Sequence, residues 1–369
     1  MNGLFVWSHS FCRSTLAFYE ALASSFGVPL KVVAWRNDTA HRERTGFSSQ
    51  EFPHLDVTFI GNDLGMARQL LREHQSWHQL FGTYQRGGVF RRILMEAARS
   101  GCRVGVASES PCNMTPPPLH LLKQMYVDLV LPRLVRRHVL AADFVINLSG
   151  DDPTALQRIG WPARKIIPCG YYPPPLPGAA FVERSPRDWE NFEILMTGMH
   201  EWHRDPLVLV DAMRILVADG IRCRAIVTQH GPLTPAIQRR LVDHALPVQL
   251  VGIVSSAELT RLYQTCSCFV ATGRAEPWGI RVNDALHCGA PLIISDGMGA
   301  VKIVRDFRCG RSFRAGDAVS LAEVLRTYAT DREVYLQAAH LVREASEACM
   351  PRRKAREIAA VIRRMGVGW

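Results

Sequence analysis

The chain has 369 residues, 47% hydrophobic and 21% charged, which provides for two domains with substantial cores and excludes a disordered, collagen-like or disulfide-scaffold chain. Lysine and arginine number 44 against 34 acidic residues, a formal charge of +10. That surplus favours a phosphorylated ligand, an anionic membrane or nucleic acid, and its spread over both halves of the chain argues against nucleic acid. The ten cysteines form no C-x-x-C pair, so they read as buried thiols in a reducing compartment, with the cytoplasm the expected location. No run of 18 apolar residues exists and the first residues lack a basic leader, so neither a spanning helix nor a signal peptide is expected.

A short apolar run, a polar turn and a helical pattern alternate along the chain, as in parallel sheets flanked by helices. Residues 4–7 read as a strand, 8–14 as a polar turn, 15–26 as a helix with Leu16, Tyr19, Leu22, Ala23 and Phe26 on its apolar face, and 30–35 as the next strand. Further strands are expected at 57–60, 78–81, 103–107, 144–148 and 166–168. Between 172 and 191, Pro173, Pro174, Pro175, Pro177 and Pro186 prohibit a helix or central strand, and this segment reads as a linker. The alternation restarts with strands at 192–196, 224–228, 249–251, 268–271 and 292–295 and helices at 206–218, 235–244, 256–265 and 282–287.

The expected organisation is therefore a first doubly wound domain at 1–171, a linker at 172–191, a second such domain at 192–350, and a closing helix at 351–369 that can cross back to the first domain. Two such domains leave a cleft onto which the carboxyl ends of both sheets open, and ligands in this fold class bind at those ends.

Several chemistries lose their usual support. There is no G-x-G-x-x-G after a strand, no G-x-x-x-x-G-K-[ST], no H-E-x-x-H and no G-x-S-x-G. No two aspartates stand at i, i+2, so a bound diphosphate must be neutralised by side chains and backbone. The most informative stretch is 276–294, E-P-W-G-I-R-V-N-D-A-L-H-C-G-A-P-L-I-I. It places a carboxylate, Glu276, at a strand end, then a Pro-Trp-Gly turn, then a helix start whose N–H groups suit an anion, with a second carboxylate, Asp284, eight residues on.

This stretch resembles the E-x7-E signature of retaining glycosyltransferases of family 4, with its following C-G-x-P-x-I segment, except that Asp284 stands in place of the second Glu. The resemblance continues over 142–149 and 165–171, which look like the end of that family's first domain. It extends over Thr197, Gly198 and Arg204, then 227–232, 249–253 and 258–263, which follow the order of its second. It implies an α/β fold of GT-B type, two doubly wound Rossmann-like domains facing across a cleft. By position it implies that Glu276 contacts the donor sugar and Asp284 the ribose hydroxyls. Gly198 lets the backbone approach the diphosphate, with His203 on the donor side as well. Arg204 stands where the family usually has Lys, and guanidinium pairs with phosphate oxygens bidentately. The backbone N–H groups of Ile280 and Arg281, after the Gly279 turn, should face the phosphates.

The first domain departs further from the family. Where a Gly-Gly turn is common, this chain has Ser8, His9, Ser10 and Phe11, and where a His-Asp pair is frequent it has Ser108, Glu109, Ser110 and Pro111. His9 and Glu109 are the candidates to line the acceptor side, Glu109 being able to orient or deprotonate a hydroxyl. Residues 119–140 carry apolar Leu122, Met125, Tyr126, Leu129 and Val130 followed by Arg133, Arg136, Arg137 and His138, with a kink expected at Pro132. One reading is a cationic amphipathic surface on anionic lipid; the other is a core-facing helix with a solvated end.

The resemblance implies a retaining, metal-independent hexosyltransferase. It takes a nucleotide-diphosphate sugar as co-substrate with no further cofactor, and acts on a glycan or lipid-linked acceptor in bacterial lipopolysaccharide, capsule or exopolysaccharide assembly. Nucleic acid is not an expected partner. The enzyme is expected in the cytoplasm, with peripheral contact at the inner face of the membrane. Sugar choice falls to side chains around Glu276 and to the loop at 272–275. A GT-B sugar-nucleotide epimerase or phosphorylase and a basic scaffold for an anionic polymer stand as the alternatives.

Overall fold

Two parallel sheets, whose inner strands carry near-continuous apolar runs, organise the chain. The computed structural model describes residues 2–10, 13–36, 54–82, 88–185, 189–190 and 192–369; Phe11 and Pro186 lie outside them. Contacts divide the chain into one unit of Met1–Asn113, Leu121–Pro174 and Met350–Trp369 and another of Met114–His120 and Pro175–Cys349. Within the linker segment the second unit begins at Pro175, so the division falls inside the proline cluster.

In the first unit the strands are β1 (Leu4–Ser10), β2 (Leu30–Arg36), β3 (Val57–Phe59), β4 (His78–Phe81), β5 (Val104–Ser108), β6 (Phe144–Asn147) and β7 (Ile166–Pro168). They lie in the order β3-β2-β1-β4-β5-β6-β7, all parallel. The inner strand β1 shows why: Leu4, Phe5, Val6 and Trp7 are all fully buried, the pattern of a strand covered by helices on both faces. Trp7 stacks on Phe81 at 5.8 Å between centroids and donates its indole N–H to Gln79 Oε1 at 2.9 Å. The strand runs three residues beyond the expected 4–7, because Ser8 and Ser10 pair with Ala34 and Arg36 of the long neighbour β2. His9 therefore sits on the strand, not in a turn, and the following helix α1 starts at Arg13 (Arg13–Phe26).

Helices α2 (Leu64–Glu73), α3 (Gly88–Arg99), α4 (His120–Met125), α5 (Leu131–Ala141) and α6 (Thr154–Arg158) complete the crossovers between these strands. The expected kink at Pro132 takes another form. A widened π-turn, Tyr126–Val130, separates α4 from α5, because proline cannot donate the backbone hydrogen bond that would continue a regular helix. The Arg133 guanidinium hydrogen-bonds the Leu129 carbonyl there. The core-facing reading holds for α5, which buries Leu131, Val135, His138 and Val139, and fails for α4 and the π-turn, which contain no buried residue. Leu121, Leu122, Met125 and Leu129 are 73%, 65%, 56% and 53% exposed.

The second unit has strands β8 (Glu193–Met196), β9 (Arg224–Thr228), β10 (Val248–Gly252), β11 (Cys268–Ala271), β12 (Leu292–Ser295) and β13 (Gly310–Phe313). They are all parallel in the order β10-β9-β8-β11-β12-β13. Its helices are α7 (Pro206–Ala218), α8 (Thr234–His244), α9 (Ser256–Thr265), α10 (Arg281–His287), α11 (Val301–Phe307), α12 (Ala318–Thr330) and α13 (Arg332–Ala348). Its core joins Ile194, Met196, Val227, Val270 and Ile293 of the sheet to Met213, Leu216, Leu325 and Tyr335 of the helices. The last helix, α14 (Pro351–Arg364), belongs to the first unit and packs on α1. There Arg363 donates to the Ser25 carbonyl at 2.8 Å, and Trp369 packs edge-on against Phe144 of β6.

A buried arginine braces the start of the second unit. Arg184 donates to the carbonyls of Cys266 at 2.8 Å, Tyr263 at 2.5 Å and Val182 at 3.0 Å. It thus supplies donors to carbonyls at the C-terminal end of α9, which no further turn of helix satisfies. Replacing Arg184 with Met leaves those carbonyls buried without their partner and should cost about 2–4 kcal/mol of stability, read as a lowered urea midpoint at unchanged m-value. A loss below about 0.5 kcal/mol would contradict this bracing role.

Buried histidines set an acid limit. Burial lowers the pKa of His78, His138 and His200 from the usual 6.5; His200 is further held between Thr234 Oγ1 at 2.8 Å and the Thr228 carbonyl at 3.1 Å. In the unfolded chain these rings take up protons as the pH falls through about 6.5, while the folded chain resists. Folding stability should therefore be full above that pH and fall below it, by up to about 1.4 kcal/mol per histidine per pH unit. Urea midpoints at pH 7.5, 6.5 and 5.5 should decline in that order; a flat or rising series contradicts the assignment.

Candidate functional site

The order of the second sheet reverses between β8 and β11, the two strands that leave its centre in opposite directions. Loops after such a pair diverge and leave a crevice at the carboxyl edge. The candidate residues Gly198, His203 and Arg204 follow β8, and Glu276, Gly279, Ile280, Arg281 and Asp284 follow β11. The topology alone thus brings two stretches about 75 residues apart to one sheet edge.

Gly198 has φ +135°, and a Cβ there would stand 3.0 Å from Arg204 Nη1. Glycine is required both for the backbone angle and for the guanidinium lying over it. Beyond it, a 3-10 turn at Trp202–Arg204 presents His203 and Arg204 to Glu276. His203 Nε2 lies 3.6 Å from Glu276 Oε2 and 3.5 Å from Glu201 Oε2, and Arg204 Nε lies 3.8 Å from Glu276 Oε2. Arg204 also approaches His203, Nε to Nε2, at 3.4 Å. Burial pushes the His203 pKa below its usual value; Glu276 and Glu201 pull it up, while Arg204 adds to the lowering. Burial is the strongest of these, so the ring is neutral at pH 7 although two carboxylates face it.

Glu276 is fixed by its own backbone. Its N–H donates to the Gly297 carbonyl and its carbonyl accepts from the Gly299 N–H, both at 3.2 Å, making a one-residue parallel bridge with Met298. The Pro-Trp-Gly turn that follows is anchored by Trp278, buried, whose indole N–H donates to Asn283 Oδ1 at 2.8 Å. Gly279 takes φ +98°, where a Cβ would collide with Met298 Cε at 2.3 Å. Ile280 and Arg281 then open α10, one residue earlier than expected, and the helix has only seven residues.

Asp284 faces inward. It is fully buried, with Oδ2 3.6 Å from Arg281 Nη1. The structure therefore groups the second-unit candidates into two sets. His203, Arg204, Glu276 and Gly198 form one, and Arg281 and Asp284 form the other.

The two first-unit candidates stand on different strands. His9, half-buried on β1, lies against the Trp35 ring at 4.8 Å between centroids. Glu109 is exposed just after β5, next to Ser110, which is held by Ser149 and Asn147. In the sheet β4 lies between β1 and β5. Among the described residues no group of three or more His, Cys, Asp or Glu side chains is disposed to hold a metal ion.

Sequence reasoning missed the residues that hold this loop. Asp205 has left-handed backbone angles, φ 47° and ψ 57°, and its buried carboxylate pairs with Arg274 Nε at 2.7 Å. Burial raises the Asp205 pKa and the Arg274 cation opposes that rise. The Arg274 N–H donates to the His203 carbonyl at 2.8 Å and Thr272 Oγ1 donates to the Arg204 carbonyl at 2.6 Å. Asp-Pro at 205–206 was the available signal: it marks a turn before a helix, without revealing the partner 69 residues on.

Residues 191–331 match the family model described as glycosyl transferases group 1. No curated protein sequence matches the chain significantly. Among solved structures, the chain is similar to HepE from Anabaena in complex with UDP and glucose, with 15% identity, a TM-score of 0.70, and 99% of this chain and 100% of that one covered. It is similar to the lipopolysaccharide outer core galactosyltransferase WaaB, with 14% identity, a TM-score of 0.69 and 99% of each chain covered. A glycosyltransferase from Rickettsia africae shares 11% identity at a TM-score of 0.68, with 99% and 98% covered. The chain thus has the GT-B fold, and its second unit carries a glycosyl transferases group 1 domain, a transferase module.

Proposed function

We propose that the chain is a retaining glycosyltransferase of family 4 that moves a sugar from a nucleoside diphosphate to an acceptor hydroxyl without a divalent metal, in the assembly of a bacterial cell-surface polysaccharide. The observation that carries this reading is the meeting of Arg204 and His203 with Glu276 beside the open Gly198 turn, at the switch point of the second sheet. Departure of a nucleoside diphosphate builds negative charge on its terminal phosphate. Arg204, 38% exposed, is the cation able to meet it, and Gly198 lets that phosphate come close to the main chain. In the free protein Glu276 faces Arg204; a phosphate that takes over the guanidinium leaves the carboxylate to accept hydrogen bonds from sugar hydroxyls. Neutral His203 adds a polar ring nitrogen without adding charge. His9 and Glu109 are the proposed acceptor-side residues. The HepE complexes with UDP, with UDP and glucose, and with UDP-glucose make a UDP-linked sugar the first donor to test.

A thermal-shift screen of UDP-, GDP-, TDP- and ADP-linked sugars in chelator should raise the melting point with at least one donor. Arg204→Ala and Glu276→Ala should each lower transfer from that donor by about a hundredfold or more. Donor binding or transfer that appears only with manganese defeats metal independence, and unchanged transfer in both variants defeats the site.

The acceptor is proposed to be lipid-linked, with the protein resting on the inner face of the cytoplasmic membrane. Support comes from the exposed Leu121, Leu122, Met125 and Leu129 standing next to exposed Arg133, Arg136 and Arg137, apolar anchors with a cationic flank. No helix among the described residues is long and apolar enough to cross a membrane. The full chain should co-sediment with phosphatidylglycerol vesicles and not with phosphatidylcholine vesicles. Replacing Arg133, Arg136 and Arg137 together with Ser should release it; co-sedimentation that is absent, or indifferent to lipid charge, removes this part of the proposal.

A further inference from the structure

We infer that the Arg281 guanidinium is a second cation for the donor's diphosphate, and that Asp284 acts by holding that guanidinium, not by touching the ribose. The inference rests on the donor reading above and changes the part assigned to two of its residues. Arg281 is the first residue of α10, and its Nη1 lies 3.6 Å from Asp284 Oδ2, one turn further along the same face. Asp284 is fully buried, whereas the Arg281 side chain keeps 16% exposure. The carboxylate lies beneath and the guanidinium reaches the surface.

Their position follows from α10, which opens two residues after the Gly279 turn on the stretch that carries Glu276. Both charges act on the buried hydroxyl of Tyr263, which lies 3.1 Å from Thr197 Oγ1, the residue directly before Gly198. Arg204 lies over Gly198 itself. Two guanidinium groups therefore stand at this sheet edge, Arg204 over the glycine after β8 and Arg281 at the start of α10 after β11.

Charge explains why two are needed. Arg204 faces Glu276 at 3.8 Å, so its field at the turn is partly cancelled, and a diphosphate gains charge as it leaves. A ribose hydroxyl, in contrast, would have to enter fully buried space to reach Asp284, and aspartate is one methylene shorter than the glutamate the family carries there. A buried carboxylate persists where a cation compensates it, and Arg281 is that cation. Asp284 is accordingly a positioning residue.

The test uses the full-length chain and calorimetric titration in chelator with UDP, GDP, TDP and ADP, then with the nucleoside of whichever diphosphate binds. Arg281→Met should weaken the diphosphate about tenfold to a hundredfold, with the nucleoside changed less than about twofold; Arg281→Lys should recover part of the loss. Asp284→Asn should weaken the diphosphate and not the nucleoside, and should add little loss when combined with Arg281→Met. An Arg281→Met variant that binds the diphosphate as the wild type does overturns the inference. So does an Asp284→Asn variant that loses nucleoside affinity, or whose loss adds fully to that of Arg281→Met. If Asp284→Asn does not fold, the Met and Lys variants at 281 decide. Wild type that binds none of the four diphosphates defeats the donor reading itself, whereas wild-type binding that survives Arg281→Met and fails in Arg204→Met defeats only this inference.

Discussion

The ion pair between Asp205 and Arg274 is the joint on which the second unit's site depends. Asp205 holds a left-handed backbone, a conformation that costs a non-glycine residue about 1–2 kcal/mol, and it buries a carboxylate. Both costs are offset in one place. Arg274 neutralises the carboxylate at 2.7 Å while its own N–H holds the His203 carbonyl, and Thr272 holds the carbonyl of Arg204. The loop after β8 and the loop after β11 are thereby one body, and the separations among His203, Arg204 and Glu276 follow from that union.

Three carboxylate–guanidinium pairs stand in the stretches that follow β8 and β11, and they differ in tightness. Asp205–Arg274 is short and its acid buried; Arg281–Asp284 is longer, with a fully buried acid and a partly exposed base; Glu276–Arg204 is longest, at 3.8 Å, with the base 38% exposed. Coulomb attraction weakens with distance and with hydration. The longest pair, whose acid is also the most open to solvent, is therefore the one an anion from solution exchanges most easily, and the shortest is the one that keeps its partners. The site carries its positive charge in compensated form, which keeps exposed guanidinium groups from repelling one another before a ligand arrives.

Much of the fold was legible because buried parallel strands carry their own signature. Strands such as Cys268–Ala271 and Leu292–Ser295 are short runs buried end to end, and sequence and structure agree on them to the residue. β13 was not read because Gly310–Phe313 is an edge strand with polar Arg311 and Ser312 exposed, so it lacks that apolar run. Ser8–Ser10 was read as turn because its strand character comes from pairing with β2, a partner 26 residues away, and not from its own composition. At the site, Glu276, Gly198 and Arg204 were found through motif spacing. Asp205 and Arg274 escaped because an ion pair that bridges two loops leaves no period in either. The inward turn of Asp284 escaped as well, since position in a motif does not fix which way a short side chain faces.

The placement of Pro351–Trp369 in the first unit has a consequence for the order in which the chain is completed. The helix Pro351–Arg364 covers Arg13–Phe26, and Trp369 fills the space beside Phe144 and above Gly105. During synthesis the sheet of the first unit emerges from the ribosome before the second unit exists, yet its last cover is translated only after residue 349. Domains ordinarily finish in the order they emerge. In this chain the later-made half holds its own parts first, and the earlier-made half waits, with one flank of Arg13–Phe26 uncovered, until residues 351–369 arrive.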